Sequence, residues 1–168
     1  MIVLNKLNQD KKLLMQQNKY RLIKAIINFL LVVWCVGFIL PVIIPPLAPL
    51  LNIVYRNVCH QDLSKVIYAG NYHFLVCSRC TGIYIGLLVS SILIWIKPNI
   101  KLPLKYFIIA SLPMLLDVIF YSTGIYNYFR SIALLTGLVF GSSGFFYIWN
   151  GIEKLLNELY LKKREIVE

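Results

Sequence analysis

The run AIINFLLVVWCVGFILPVII, residues 25–44, holds 20 residues without a single charge, and its reading decides the fold. At 1.5 Å per residue, a helix of that length covers about 30 Å, the hydrocarbon thickness of a bilayer. It is too long for a signal-peptide core, and no small-x-small cleavage site follows a shorter apolar stretch, so it reads as a retained span. Working outward, three more apolar segments of comparable reach follow at 78–96, 106–121 and 131–149. The chain is 59% apolar and only 14% charged, whereas soluble domains carry about 25% charge. A soluble fold of 168 residues has no interior large enough for four such blocks. The expectation is an all-α membrane protein: four transmembrane helices bundled into one integral membrane domain over 1–168, with tails at 1–24 and 150–168.

Charge sets the expected orientation. The net charge is +10, from 17 basic and 7 acidic residues. Four spans place both tails and the 97–105 loop on one side. That side holds Lys6, Lys11, Lys12, Lys19, Arg21, Lys24, Lys97, Lys101, Lys105, Lys154, Lys162, Lys163 and Arg164. The other side holds Arg56, Lys65, Arg79 and Arg130. The positive-inside rule then puts both termini in the cytoplasm and the protein in the cytoplasmic (inner) membrane. The same distribution accounts for the basic character through topology and anionic lipid. The lipid bilayer is thus the expected partner, and nucleic acid is not.

Between the first two spans the sequence changes character. Pro45, Pro46 and Pro49 stop the first helix. Leu47, Leu50, Leu51, Val54 and Val58 then repeat at helical spacing over too few residues to cross a bilayer, which predicts a short interfacial helix. Two β-branched and aromatic stretches flank Gly70-Asn71, the signal of a two-residue hairpin turn. The rival reading starts the second span near Asn71, placing His73, Cys77 and Cys80 on one helical face. Ser78 is the expected N-cap of that span.

Polar chemistry is concentrated in this outward-facing cap. Cys59-His60-Gln61 and Cys77-Ser78-Arg79-Cys80 bring three of the four cysteines and both histidines into 22 residues. Cys35 lies mid-span without a polar companion and reads as a small buried hydrophobe. Three chemistries use the rest. Cys59, His60, Cys77 and Cys80 could ligate zinc, iron or copper, with His73 in reserve. The Cys-x-x-Cys pair could be a redox dithiol coupled to a membrane quinone, which would make the protein an enzyme. A disulfide could lock the outer loop of a structural or assembly subunit. Asp117 lies on the outer half of the third span, where a carboxylate costs about 2.5–3.5 kcal/mol, and Arg79 and Arg130 are its candidate partners. Gly82/Gly86 and Gly137/Gly141 form small-residue faces for close helix packing, open also to a second copy or a membrane partner.

Taken together, Cys59-His60-Gln61, Cys77-Ser-Arg-Cys80-Thr-Gly82-Ile-Tyr, Pro113 to Asp117, Asn127-x-x-Arg130 and Thr136-Gly137-x-x-x-Gly141 carry a resemblance. The pattern resembles the small prokaryotic membrane proteins grouped as domain-of-unknown-function family 2085. The likeness covers about residues 56–145 and implies a multi-pass membrane protein without supplying an activity. Val118, Ile119 and Phe120 stand where the family pattern leads one to expect small or polar residues after Asp117.

Overall fold

Pro45 and Pro46 end one helix, and each later break likewise follows from turn residues. The computed structural model describes residues 2–97, 100 and 102–165. Helix α1 runs Ile2–Ile43 and carries Pro41 near its end. A 3-10 turn, Pro45–Leu47, leads into α2, Ala48–Tyr55. Strands β1, Val66–Ala69, and β2, Tyr72–Cys77, form an antiparallel hairpin that passes directly into α3, Ser78–Ile96. Helices α4, Leu104–Ser122, and α5, Arg130–Glu165, complete the chain. Among the described residues four stretches are long and apolar enough to cross a membrane: Gln17–Ile43, Ser78–Ile96, Leu104–Ser122 and Arg130–Leu156. The protein is an all-α membrane protein with a small two-stranded cap.

The two segments expected as tails are helical where the structure describes them. The basic segments 1–24 and 150–168 are largely helical continuations of the spans, since α1 begins at Ile2 and α5 runs to Glu165. No proline or glycine interrupts residues 1–24, so the helix propagates from the apolar run. Of the expected basic loop, Pro98 and Lys101 lie outside the described residues.

The core of the bundle is the α3–α5 pair, with α1 packed on α3 and α4 on α5. Glycines explain that pairing. A Cβ on Gly82 would strike the Leu134 carbonyl, and one on Gly86 the Leu138 carbonyl. Conversely, Gly137 and Gly141 lie against the Arg79 and Ile83 carbonyls. Small residues let the backbones approach where lipid supplies no hydrophobic driving force. The two glycine faces thus meet each other within the chain.

Two apolar clusters mark the ends of the bundle. Ile94, Phe145 and Trp149 pack with Ile23, Ile27 and Leu31 at the end bearing both tails, where Lys24 lies 5.2 Å above the Trp149 ring. Cys35, Phe38, Tyr55, Cys59, Leu75 and Val76 pack at the other end, beneath the cap. Between them Asn28 and Ser91 tie α1 to α3, the serine hydroxyl donating to Asn28 Oδ1 at 2.8 Å. The remaining faces present Ile108, Leu112, Leu115 and their neighbours outward, as lipid requires.

Candidate functional site

Gly70 takes φ +64° while Asn71 keeps a negative φ, so glycine occupies the first central position of a tight hairpin turn. The ladder pairs Val66 with Cys77 and Tyr68 with His73, with an irregularity between Val66 and Tyr68. Below Cys77 the ladder is continued by Ser78, whose amide and hydroxyl both donate to the Lys65 carbonyl at 2.8 Å. Ser78 is therefore not the N-cap of α3. Cys77 holds that position, and the serine hydroxyl is used to fasten strand to helix. The rival helix beginning near Asn71 does not form, because β2 occupies those residues.

The hairpin turns the chain back so that α3 begins beside the end of α2. The Cys59 amide donates to the Tyr55 carbonyl at 3.0 Å, closing α2's last turn, and the Cys77 amide donates to Cys59 Sγ at 3.2 Å. Cys59, Cys77 and Cys80 place their sulfurs within 4.8 Å of one another, and all are free thiols. Cys59 is buried, whereas Cys77 and Cys80 are half-buried. The Cys77 and Cys80 thiols donate to Cys59, joined by the Cys77 and Gln61 amides, and these bonds hold the Cys59 thiol well below its usual range. Its donor Cys77 is correspondingly pushed up, chiefly by that bond to Cys59. Gln61 reaches its position with φ +50°, the one non-glycine residue with positive φ among those described.

The other expected site residues fall into two groups. His60 is exposed and outside the three-sulfur group. His73 is half-buried, its ring 5.9 Å from that of Tyr68, on a cleft of about 250 Å³ shared with Asn52, Gln61 and Phe74. Arg79 turns away from the sulfurs and pairs with Asp117, which also accepts from the Tyr126 hydroxyl. Arg130 does not reach Asp117. It donates to the Ser64 carbonyl at 3.1 Å and lies over the Tyr68 ring. Cys35 is buried and donates to the Tyr84 carbonyl at 3.7 Å, so it joins the packing beneath the site and not the sulfur group.

Sequence reasoning passed over Tyr126, Tyr128 and Lys65. Lys65 is held by Asp62 at 2.8 Å and lies over the rings of Tyr121 and Tyr128, while Arg79 lies 5.8 Å from the Tyr128 ring. The signal was the aromatic density of the α4–α5 connection, where Tyr121, Tyr126 and Tyr128 crowd one short segment. Burial is the chief cause that raises the Tyr128 pKa.

Comparison with known proteins agrees with this architecture. An uncharacterized protein of Methanocaldococcus jannaschii is 36% identical over 99 residues, 56% of this chain and 64% of the relative. A second, from Methanothermobacter thermautotrophicus, is 44% identical over 32 residues, 19% of this chain and 29% of that protein. The chain thus spans less than two thirds of the curated relatives it matches. No solved structure matches it. Residues 59–147, from the first site cysteine through most of the fourth span, match the family described as "Predicted membrane protein (DUF2085)", and the chain belongs to that family.

Proposed function

We propose that Cys59, Cys77 and Cys80 together hold one thiophilic metal ion, zinc, iron or copper, at the outer face of the cytoplasmic membrane. The observation that carries this reading is the meeting of three sulfurs from two separated stretches within 4.8 Å. A tetrahedral ion with bonds of about 2.3 Å sets its sulfurs about 3.8 Å apart, so ligation asks each pair to close by an ångström or so at most. Thiolate donors favour soft and borderline ions over magnesium or calcium. Amide donors to Cys59 Sγ are the outer-shell bonds that orient such ligands. The thirteen basic residues on the side of both tails support an outward cap. The role is metal handling, sensing or stabilisation of the cap.

Elemental analysis after anaerobic purification tests it. The wild type should carry one ion per chain, and Cys59→Ser, Cys77→Ser and Cys80→Ser should each lose it. Cys59→Ser is the informative variant, because a site made by the Cys-x-x-Cys pair alone would survive it. Metal-free wild type, together with unchanged content in Cys77→Ser, sinks the reading. The competing enzyme reading, a thiol–disulfide oxidoreductase coupled to a quinone, draws on the same proximity and on a Cys59 poised as thiolate. Alkylation mapping separates the two. Metal-held thiols become reactive on chelation, whereas a redox pair alternates between blocked and free with oxidant.

A further inference from the structure

The geometry points to an exchangeable fourth position on the ion held by Cys59, Cys77 and Cys80, which a thiol from outside the chain can occupy. This rests on the metal reading above. Structural zinc sites are closed by four protein ligands, whereas three protein ligands leave a place for water or an incoming group. Among the described residues every other candidate donor near the cap is engaged elsewhere or stands apart. His60 is exposed and outside the sulfur group, and His73 lies on the hairpin against Tyr68. Asp62 is held by Lys65 and by the amide and hydroxyl of Ser64. Asp117 is held by Arg79 and Tyr126. Cys35 spends its thiol proton on the Tyr84 carbonyl.

Burial says from which side the ligand comes. Cys59 is only 7% exposed and lies against the core, while Cys77 and Cys80 are half-buried, so the approach is over the first turn of α3. Trp34, Phe74 and Tyr84 pack, like Cys77 and Cys80, against the buried cluster that contains Cys59, and these apolar surroundings suit a polarizable sulfur donor better than a hydrated oxyanion. The guanidinium that would have drawn an anion here, Arg79, is committed to Asp117. In the exchange the metal–water bond breaks, a metal–sulfur bond forms, and the incoming thiol's proton leaves to bulk water. No oxidation state changes.

Cobalt(II) in the full chain, in detergent and without oxygen, is the probe. The resting spectrum should be that of three sulfurs and one lighter donor. Titration with β-mercaptoethanol should convert it to a four-sulfur spectrum, saturating at one thiol per cobalt, with His60→Ala behaving identically. A spectrum indifferent to thiol, cobalt stripped into the filtrate, or a resting spectrum altered by His60→Ala each overturns the open position while leaving a metal site intact. Protein that refuses cobalt yet is isolated with stoichiometric metal also overturns it. Protein that neither retains cobalt nor carries metal as isolated sinks the metal reading itself.

Discussion

Replacing Asp117 with leucine removes one half of an ion pair that is almost wholly withdrawn from water. The Asp117 side chain is 3% exposed and that of Arg79 18%. Breaking such a pair from one side costs about 3–5 kcal/mol, most of it the price of a buried, uncompensated charge. The lower end applies here, because the long arginine can snorkel toward the cap, and loss of the Tyr126 bond adds about 1 kcal/mol. Asp117→Leu should therefore destabilise by about 4 kcal/mol. Adding Arg79→Met removes the orphaned charge, and the double variant should recover to within about 1 kcal/mol of wild type or exceed it. Equilibrium unfolding in mixed micelles, followed by circular dichroism, gives the stabilities, and metal per chain is read on the same samples. If the pair only clamps α3 to α4, metal content returns with stability in the double variant. Stability that returns without metal would assign the carboxylate a part in the site. A single variant within about 0.5 kcal/mol of wild type would refute the reasoning, since no buried charge could then have been left unpaired.

The other predictions concern backbone contacts and the thiols. Gly82→Ala places a methyl against the Leu134 carbonyl and should cost about 1–3 kcal/mol. Gly151→Ala, with nothing near it in the same helical environment, should gain about 0.5–1 kcal/mol, so thermal unfolding of the pair isolates the close approach. In metal-free reduced protein, one thiolate absorbance should persist at neutral pH, where a thiol of pKa about 8.5 is mostly protonated, and Cys59→Ser should abolish it. The sign follows from a lowered pKa: the stabilisation is complete above the ordinary thiol range and fades as pH falls toward the Cys59 value. The Cys77 thiolate should appear only above that range. Gln61→Pro, which demands φ near −65° and deletes an amide donor to Cys59, should lower metal affinity at least tenfold, whereas Gln61→Gly should leave it within twofold.

Much of the fold was legible because a bilayer leaves few choices. Uncharged runs of span length become helices, and a Gly-Asn step between β-branched stretches becomes a hairpin. The meeting of the three sulfurs was legible through the same turn signal, since a chain reversal at Gly70 returns Cys77 to Cys59. What the sequence withheld were choices among equivalent partners. Nothing in the one-dimensional pattern separates Arg79 from Arg130 as the mate of Asp117, since both lie at the same depth. Nothing in it says that the glycine faces of the second and fourth spans close on each other. His60 was a natural ligand by adjacency, yet the left-handed Gln61 and the Cys77 amide bond turn the Cys59 sulfur inward while its neighbour faces outward.

The direction taken by Arg79 follows from helical geometry. Successive side chains on a helix are turned by about 100°, so residues three apart share a face while the two between them do not. Cys77 and Cys80 are three apart at the start of α3 and meet Cys59 on the cap side. Arg79, next to Cys80, is rotated by roughly a quarter turn or more and must leave that face. It finds Asp117 on α4, while Gly82, two residues beyond Cys80, is turned onto the α5 backbone. One and a half turns of α3 thereby fasten three neighbours: the cap through sulfur, α4 through an ion pair and α5 through the missing side chain. Two of the sulfurs come from the start of α3, and the third, Cys59, comes from the segment that follows α2. In a bilayer such an element can fold back only beyond the hydrocarbon, because a reversing chain exposes backbone groups that lipid cannot satisfy. The depth of the sulfur cluster thus follows from the chain reversal that brings Cys59 to the start of α3.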